Sequence, residues 1–265
     1  MSDHSIRTPT KDHHGKPNYG PVWALVMTFF SYITSYVIAI IGIGIVIAIA
    51  AKINGRDVEQ LLDTFQSSTG GQFALGAAVY LSMLWIIYTF MKYRKVSWAD
   101  IGLSRRPKLS DAIYAIVTSV IYYVAISIIL AAVGIFLPGV NLEQEQQLGF
   151  DKETQGAALA LIFIALVILP PLIEEIVMRG FLYTGIRQKL KIWQAALITS
   201  FVFCIAHLQL GEGAPPLYVA AIDTFFLSLF LVYLREKTGS LWAGIFTHGI
   251  KNGLAFTLLF ILGVG

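Results

Sequence analysis

The sequence predicts an all-α fold: a polytopic transmembrane helical bundle of about seven spans, within a range of six to eight. Three observations predict it. Of 265 residues, 56% are hydrophobic and only 13% charged, where a soluble domain carries about 25% charged residues; mean hydropathy is +0.70. Apolar segments recur at about 21–51, 75–91, 111–137, 156–184, 193–209, 217–234 and 241–262. At 1.5 Å of rise per residue the shortest still covers roughly 25 Å. Strand-like alternation is absent from these runs, which removes the transmembrane β-barrel as a rival.

Residues 1–20 are polar and read as a disordered cytoplasmic tail, whose His4, His13 and His14 signal metal capture only weakly. The first apolar segment lies in a charge-free stretch from Pro17 to Ala51. That is more than one crossing needs, so the span tilts or extends into the headgroups. It is also far too long for the apolar core of a signal peptide, so no cleavable leader is expected. The next two spans carry little polar chemistry, and the last four carry nearly all of it. Residues 21–150 therefore read as amino-terminal transmembrane support helices, and 151–265 as the functional half.

Basic residues set the orientation. The 92–110 connection holds Lys92, Arg94, Lys95, Arg105, Arg106 and Lys108; Arg187, Lys189 and Lys191 follow the fourth span, and Arg235 and Lys237 the sixth. The tail adds Arg7, Lys11 and Lys16. The alternate connections, 52–74, 138–155 and 210–216, are poor in Lys and Arg. With seven crossings this places the amino terminus in the cytoplasm and the carboxyl terminus outside. The short fifth segment could instead be re-entrant, which leaves the count open. The net charge of +3 follows this topology and gives no argument for nucleic acid. The partner that composition implies is membrane lipid. Cys204 is the one cysteine; it excludes an internal disulfide and reads as helix packing.

Three polar clusters interrupt the apolar runs: Glu174, Glu175 and Arg179 in EEIVMR, Phe203 and His207 in FCIAH, and His248 with Asn252 in HGIKN. Ionisable groups at membrane depth are costly and usually face a protected interior with a function. Pro170 and Pro171 kink the fourth span and free backbone carbonyls just before Glu174. Glu175 and Arg179, four apart, share a face and can pair. Glu174 lies about 100° around the helix from Glu175, away from that cation, which suits a general base. Alone, His207 reads as a structural histidine and Asn252 as a tie between helices. Together, a carboxylate, two imidazoles and an amide supply a base, a water-positioning group and oxyanion donors. Counted from the cytoplasmic ends, Glu174, His248 and Asn252 lie roughly 10–16 Å deep; His207 comes out at roughly 22 Å and needs a tilted or shifted fifth helix to join them. Asp223 and Lys251 lie near 15–18 Å on neighbouring spans and form a possible buried ion pair; the rival reading puts Asp223 in the catalytic cavity.

At these residues the chain resembles the CAAX protease and bacteriocin-processing (CPBP, or Abi) family of intramembrane proteases, including the type II CAAX prenyl endopeptidases. That family is marked by EExxxR, FxxxH and HxxxN on successive helices. The flanks RGFLYTGIRQKL and REKTGSLWAGIFTHGIKNG fit as well, and the resemblance covers about residues 160–260. It implies a peptidase of a prokaryotic cell membrane in which Glu174 and His207 activate water. His248 and Asn252 then stabilise the oxyanion, while Glu175, Arg179 and Phe203 support the site. The substrate it implies is membrane-associated, prenylated CAAX-like or bacteriocin-like. Lys251 departs from the family, where that position is usually apolar.

The leading expectation is an endopeptidase that needs no cofactor. The chemical alternative is a Zn2+ metalloprotease with His207, His248 and Glu174 as ligands, although the sequence has no HExxH motif. A non-catalytic immunity or scaffold protein has no use for four converging polar groups. A transporter is disfavoured because no paired repeat is visible.

Overall fold

The computed structural model describes residues 17–142, 144, 149–208 and 218–264. The expected disordered tail, with its three histidines, lies almost wholly outside the described residues. Among the described residues every regular element is helical. Helix α1 (Pro21–Asn54) starts with Pro at its first position, where a missing N–H costs nothing, and ends on Gly55 at φ 62°. Helix α2 (Val58–Ser67) is capped by Asp57, which accepts from the Gln60 amide at 3.2 Å. Helix α3 (Thr69–Tyr93) is capped by Ser68, which accepts from Gly71. Helix α4 (Leu109–Phe136) opens on Asp111, which receives two Arg105 hydrogen bonds of 2.6 Å and the Lys108 amide. Then follow α5 (Ala158–Arg187), α6 (Ile192–Ala206), α7 (Tyr218–Thr238) and α8 (Trp242–Ile261).

Six of these helices, all but α2 and α6, are long and apolar enough to cross a membrane. The chain is an integral membrane protein built as a helical bundle. The predicted seven spans resolve into six long helices and one short one. Helix α6 has 15 residues, roughly 22 Å, which is less than the hydrocarbon thickness of about 30 Å. Helix α2 falls where only a connection was expected. Its Val58, Leu61, Leu62 and Phe65 follow helical spacing along one face, yet none of its residues is buried.

Helix α5 is the hub. It packs against α1, α3, α6, α7 and α8, while α4 lies across α7 and α8. It is the most buried of the six long helices, and its Ile173, Val177, Phe181 and Leu182 centre the main apolar core. Close approach of α1 depends on Gly185: a Cβ there would sit 2.5 Å from Ala24 Cβ and 2.6 Å from the Tyr19 ring. Tyr19, just before α1, donates its hydroxyl to the Phe181 carbonyl at 2.7 Å. Burial pushes that phenol well above its usual pKa, so it stays a donor. Two stretches of α5, Ile164–Ile168 and Ile176–Leu182, wind as π-helix. They bracket the Pro170–Glu175 turn, and such π-turns recur at functional sites.

Candidate active site

The site begins with a backbone defect. In a helix the Leu166 carbonyl would accept from residue 170, or from residue 171 in a π-turn. Both are proline and have no N–H. The stranded carbonyl is taken by the Asn252 side chain, whose Nδ2 donates to it at 2.8 Å. This contact fixes α8 against the kink of α5. It also realises the tie between helices that the sequence offered as Asn252's structural reading, and it leaves the second amide hydrogen free.

One turn on, the two glutamates diverge. Glu175 is fully buried and its Oε1 accepts from Arg179 Nη1 at 2.7 Å. The same oxygen is 3.2 Å from His248 Nδ1. Arg179 is also fully buried and lays its guanidinium 4.3 Å above the Phe203 ring, a cation–π contact. Its Nε and Nη2 find no hydrogen-bond acceptor among the described residues, so the aromatic face and Glu175 are what compensate its charge. Helix α8 comes this close because residue 244 is glycine: a Cβ there would lie 3.1 Å from Glu175 Oε2.

Glu174 points elsewhere. Its Oε1 accepts from the Tyr80 hydroxyl of α3 at 2.7 Å. Its Oε2 is 3.9 Å from His207 Nε2 and 3.9 Å from His248 Nε2, and has no hydrogen-bond partner among the described residues. His207, the residue that ends α6, is tethered through Nδ1 to the Phe203 carbonyl at 2.8 Å. A carbonyl only accepts, so Nδ1 carries the proton and Nε2 of the neutral ring is an acceptor facing Glu174. Phe203 stacks edge-on to both imidazoles, with centroids 4.4 Å from His207 and 5.9 Å from His248. It is the packing centre on which the arginine and the two histidines are arranged.

Glu174, His207, His248 and Asn252 line one cavity of about 400 Å³. Its wall also holds Asp223 and Lys251, whose carboxylate and ammonium are 3.1 Å apart. Asp223 takes a further hydrogen bond from the Tyr122 hydroxyl. The two readings of Asp223 therefore meet, because it is paired with Lys251 and also faces the cavity. His207 does join Glu174, at 3.9 Å, as the depth count allowed only for a tilted or shifted helix. That count assumed parallel helices starting in one plane, and a short α6 does not obey it. Among the described residues no three His, Cys, Asp or Glu side chains are grouped as a metal site requires. Ligands at 2.0–2.1 Å around a tetrahedral ion are about 3.3 Å apart, closer than Glu174 Oε2 stands to either imidazole. Tyr32 and Tyr80 also line the cavity. Sequence reasoning missed them, since neither belongs to a spaced motif and tyrosine is ordinary in membrane helices.

Comparison with known proteins decides the relationship of this region. Residues 156–254 match the family model described as Type II CAAX prenyl endopeptidase Rce1-like. They form an Rce1-like domain. The domain spans α5 to the middle of α8 and holds Glu174, Glu175, Arg179, Phe203, His207, His248 and Asn252; Tyr32 and Tyr80 lie outside it. The chain is also 29% identical over 114 residues to the Bacillus subtilis (strain 168) protein named "Putative membrane peptidase YdiL". That similarity covers 43% of this chain and 43% of the relative, so the chain spans less than half of the relative it matches. No solved structure matches.

Proposed function

We propose that this protein is an intramembrane endopeptidase that hydrolyses a peptide bond of a membrane-associated substrate with water, without a metal. The observation that carries the reading is Glu174 Oε2 held 3.9 Å from both His207 Nε2 and His248 Nε2 inside a cavity. That spacing is too long for direct hydrogen bonds and suits a water bridging the three atoms. Glu174 takes one proton from that water, with His207 holding it in line, and the hydroxide attacks the substrate carbonyl. The oxyanion accepts from Asn252's second amide hydrogen and from Nε2–H of doubly protonated His248, whose Nδ1–H is held by Glu175. Protonated Glu174 then passes its proton to the departing amine. Arg179 and Phe203 act through Glu175 and the imidazoles and touch no reacting atom.

The similarity to a named membrane peptidase and the Rce1-like domain support the reaction class. A substrate with a prenylated or bacteriocin-like segment is the finer proposal. The Lys/Arg-rich connections support an amino terminus in the cytoplasm and a carboxyl terminus outside, and the Bacillus relative supports a prokaryotic cell membrane. Mass spectrometry of membrane peptides from cells carrying wild type or Glu174→Ala tests both points. New termini that appear only with wild type, in segments facing the cytoplasm, are expected. Identical termini with Glu174→Ala would favour a non-catalytic scaffold, and termini outside the cell would reverse the orientation.

A further inference from the structure

We infer that the amino-terminal helices complete the hydrolytic site with two tyrosines: Tyr80 positions Glu174, and Tyr32 offers its hydroxyl to a carbonyl oxygen of the bound peptide. The inference rests on the hydrolytic reading above and extends it beyond the Rce1-like domain, because α1 and α3 precede residue 156.

A carboxylate on a flexible side chain presents either oxygen by rotation. Here the Tyr80 hydroxyl holds Oε1 at 2.7 Å, which leaves Oε2 toward both imidazoles. Within the cavity no residue of α5–α8 donates to Glu174 in this way among the described residues. A phenol on α3 therefore fixes the geometry on which water activation depends. Tyr32 poses the complementary case. Its side chain lines the same cavity, and its buried hydroxyl oxygen has no hydrogen-bond partner among the described residues. Buried tyrosine hydroxyls are normally paired, so an orphan on a cavity-lining side chain is a donor awaiting a ligand's acceptor. Of the cavity's reactive atoms, Glu174 Oε2 and His207 Nε2 are acceptors. An extended peptide brings carbonyl oxygens that need donors, and beside Asn252 the phenol of Tyr32 supplies one.

The experiment measures peptide cleavage by purified protein in lipid vesicles, with thermal melts in parallel, for wild type, Tyr80→Phe, Tyr32→Phe, Glu174→Asp, Tyr80→Phe with Glu174→Asp, and Glu174→Gln. Tyr80→Phe is expected to lower kcat about tenfold with KM within twofold. That loss should vanish in the Glu174→Asp background, where the shorter carboxylate no longer reaches the phenol. Tyr32→Phe is expected to lower kcat/KM about tenfold while Tm holds or rises, since an orphaned buried hydroxyl is removed. Additive losses for Tyr80→Phe and Glu174→Asp would overturn the positioning role. Full activity of Tyr32→Phe, or activity and Tm falling together, would overturn the ligand role. Full activity of Glu174→Gln would remove the hydrolytic reading itself and the inference with it. The other contrary results leave that reading standing.

Discussion

Glu174 and Glu175 are adjacent in the chain and turned to different partners, and the helix rotation between them is the cause. Glu175 is turned onto Arg179 and His248, and Glu174 onto Tyr80 and the cavity. The Glu175–Arg179 pair follows from their spacing of four and was legible in the sequence. Phe203 was legible as a supporting residue, but its contact with Arg179 and the role of Tyr80 were not, because a cation–π platform and a hydroxyl from another helix depend on tertiary approach. Asp223 and Lys251 give a sharper test at this scale. Each is about one-fifth exposed in the cavity wall, so removing one partner leaves a partly desolvated charge. Asp223→Asn is expected to lower stability by about 1–2 kcal/mol. The same change in a Lys251→Met background should cost clearly less, with a coupling of roughly 1 kcal/mol. Chemical-denaturation curves of the two single variants and the double variant measure it. Strict additivity would mean the ion pair does not contribute to stability.

At the scale of the element, α5 shows how a weak point in a helix is used. Two prolines remove the donors for Leu166, and Asn252 of α8 replaces them. The break thereby docks the helix that carries His248. The sequence signalled the kink through Pro170 and Pro171, but not the π-turns on either side, which are hydrogen-bond registers rather than residue types. Helix α2 escaped notice because it is too short and too polar to look like a span. The seam between α1 and α5 carries its own prediction. Gly185→Ala forces a Cβ into Ala24 and Tyr19 and is expected to lower stability by about 1–3 kcal/mol. Gly44→Ala, on α1 where an added Cβ would meet nothing within 4 Å, should be neutral or stabilise by up to about 1 kcal/mol. Melting temperatures of the two variants should move apart; equal shifts would contradict the packing described for this seam.

For the whole molecule, composition alone was enough for a helical membrane bundle, because apolar runs of span length can satisfy their backbone polar groups only as helices. The count was less certain. Helix α6 is shorter than the membrane is thick, and by ending at His207 it delivers an imidazole to the interior of the bundle. The division into a support half and a catalytic half describes where the spaced motifs lie, yet the cavity is walled by both, through Tyr32 and Tyr80 on one side and Glu174, His207 and His248 on the other. The central claim is that these groups hydrolyse peptide bonds with water and no metal. Its most direct test is cleavage of a membrane-anchored peptide by the purified full chain in vesicles, comparing wild type with Glu174→Gln, each with and without a zinc chelator. Chelator-resistant cleavage by wild type is expected, with at least a thousandfold loss, on the order of 4 kcal/mol of transition-state stabilisation, in Glu174→Gln. Cleavage that survives Glu174→Gln, or that chelation abolishes and zinc restores, would contradict it.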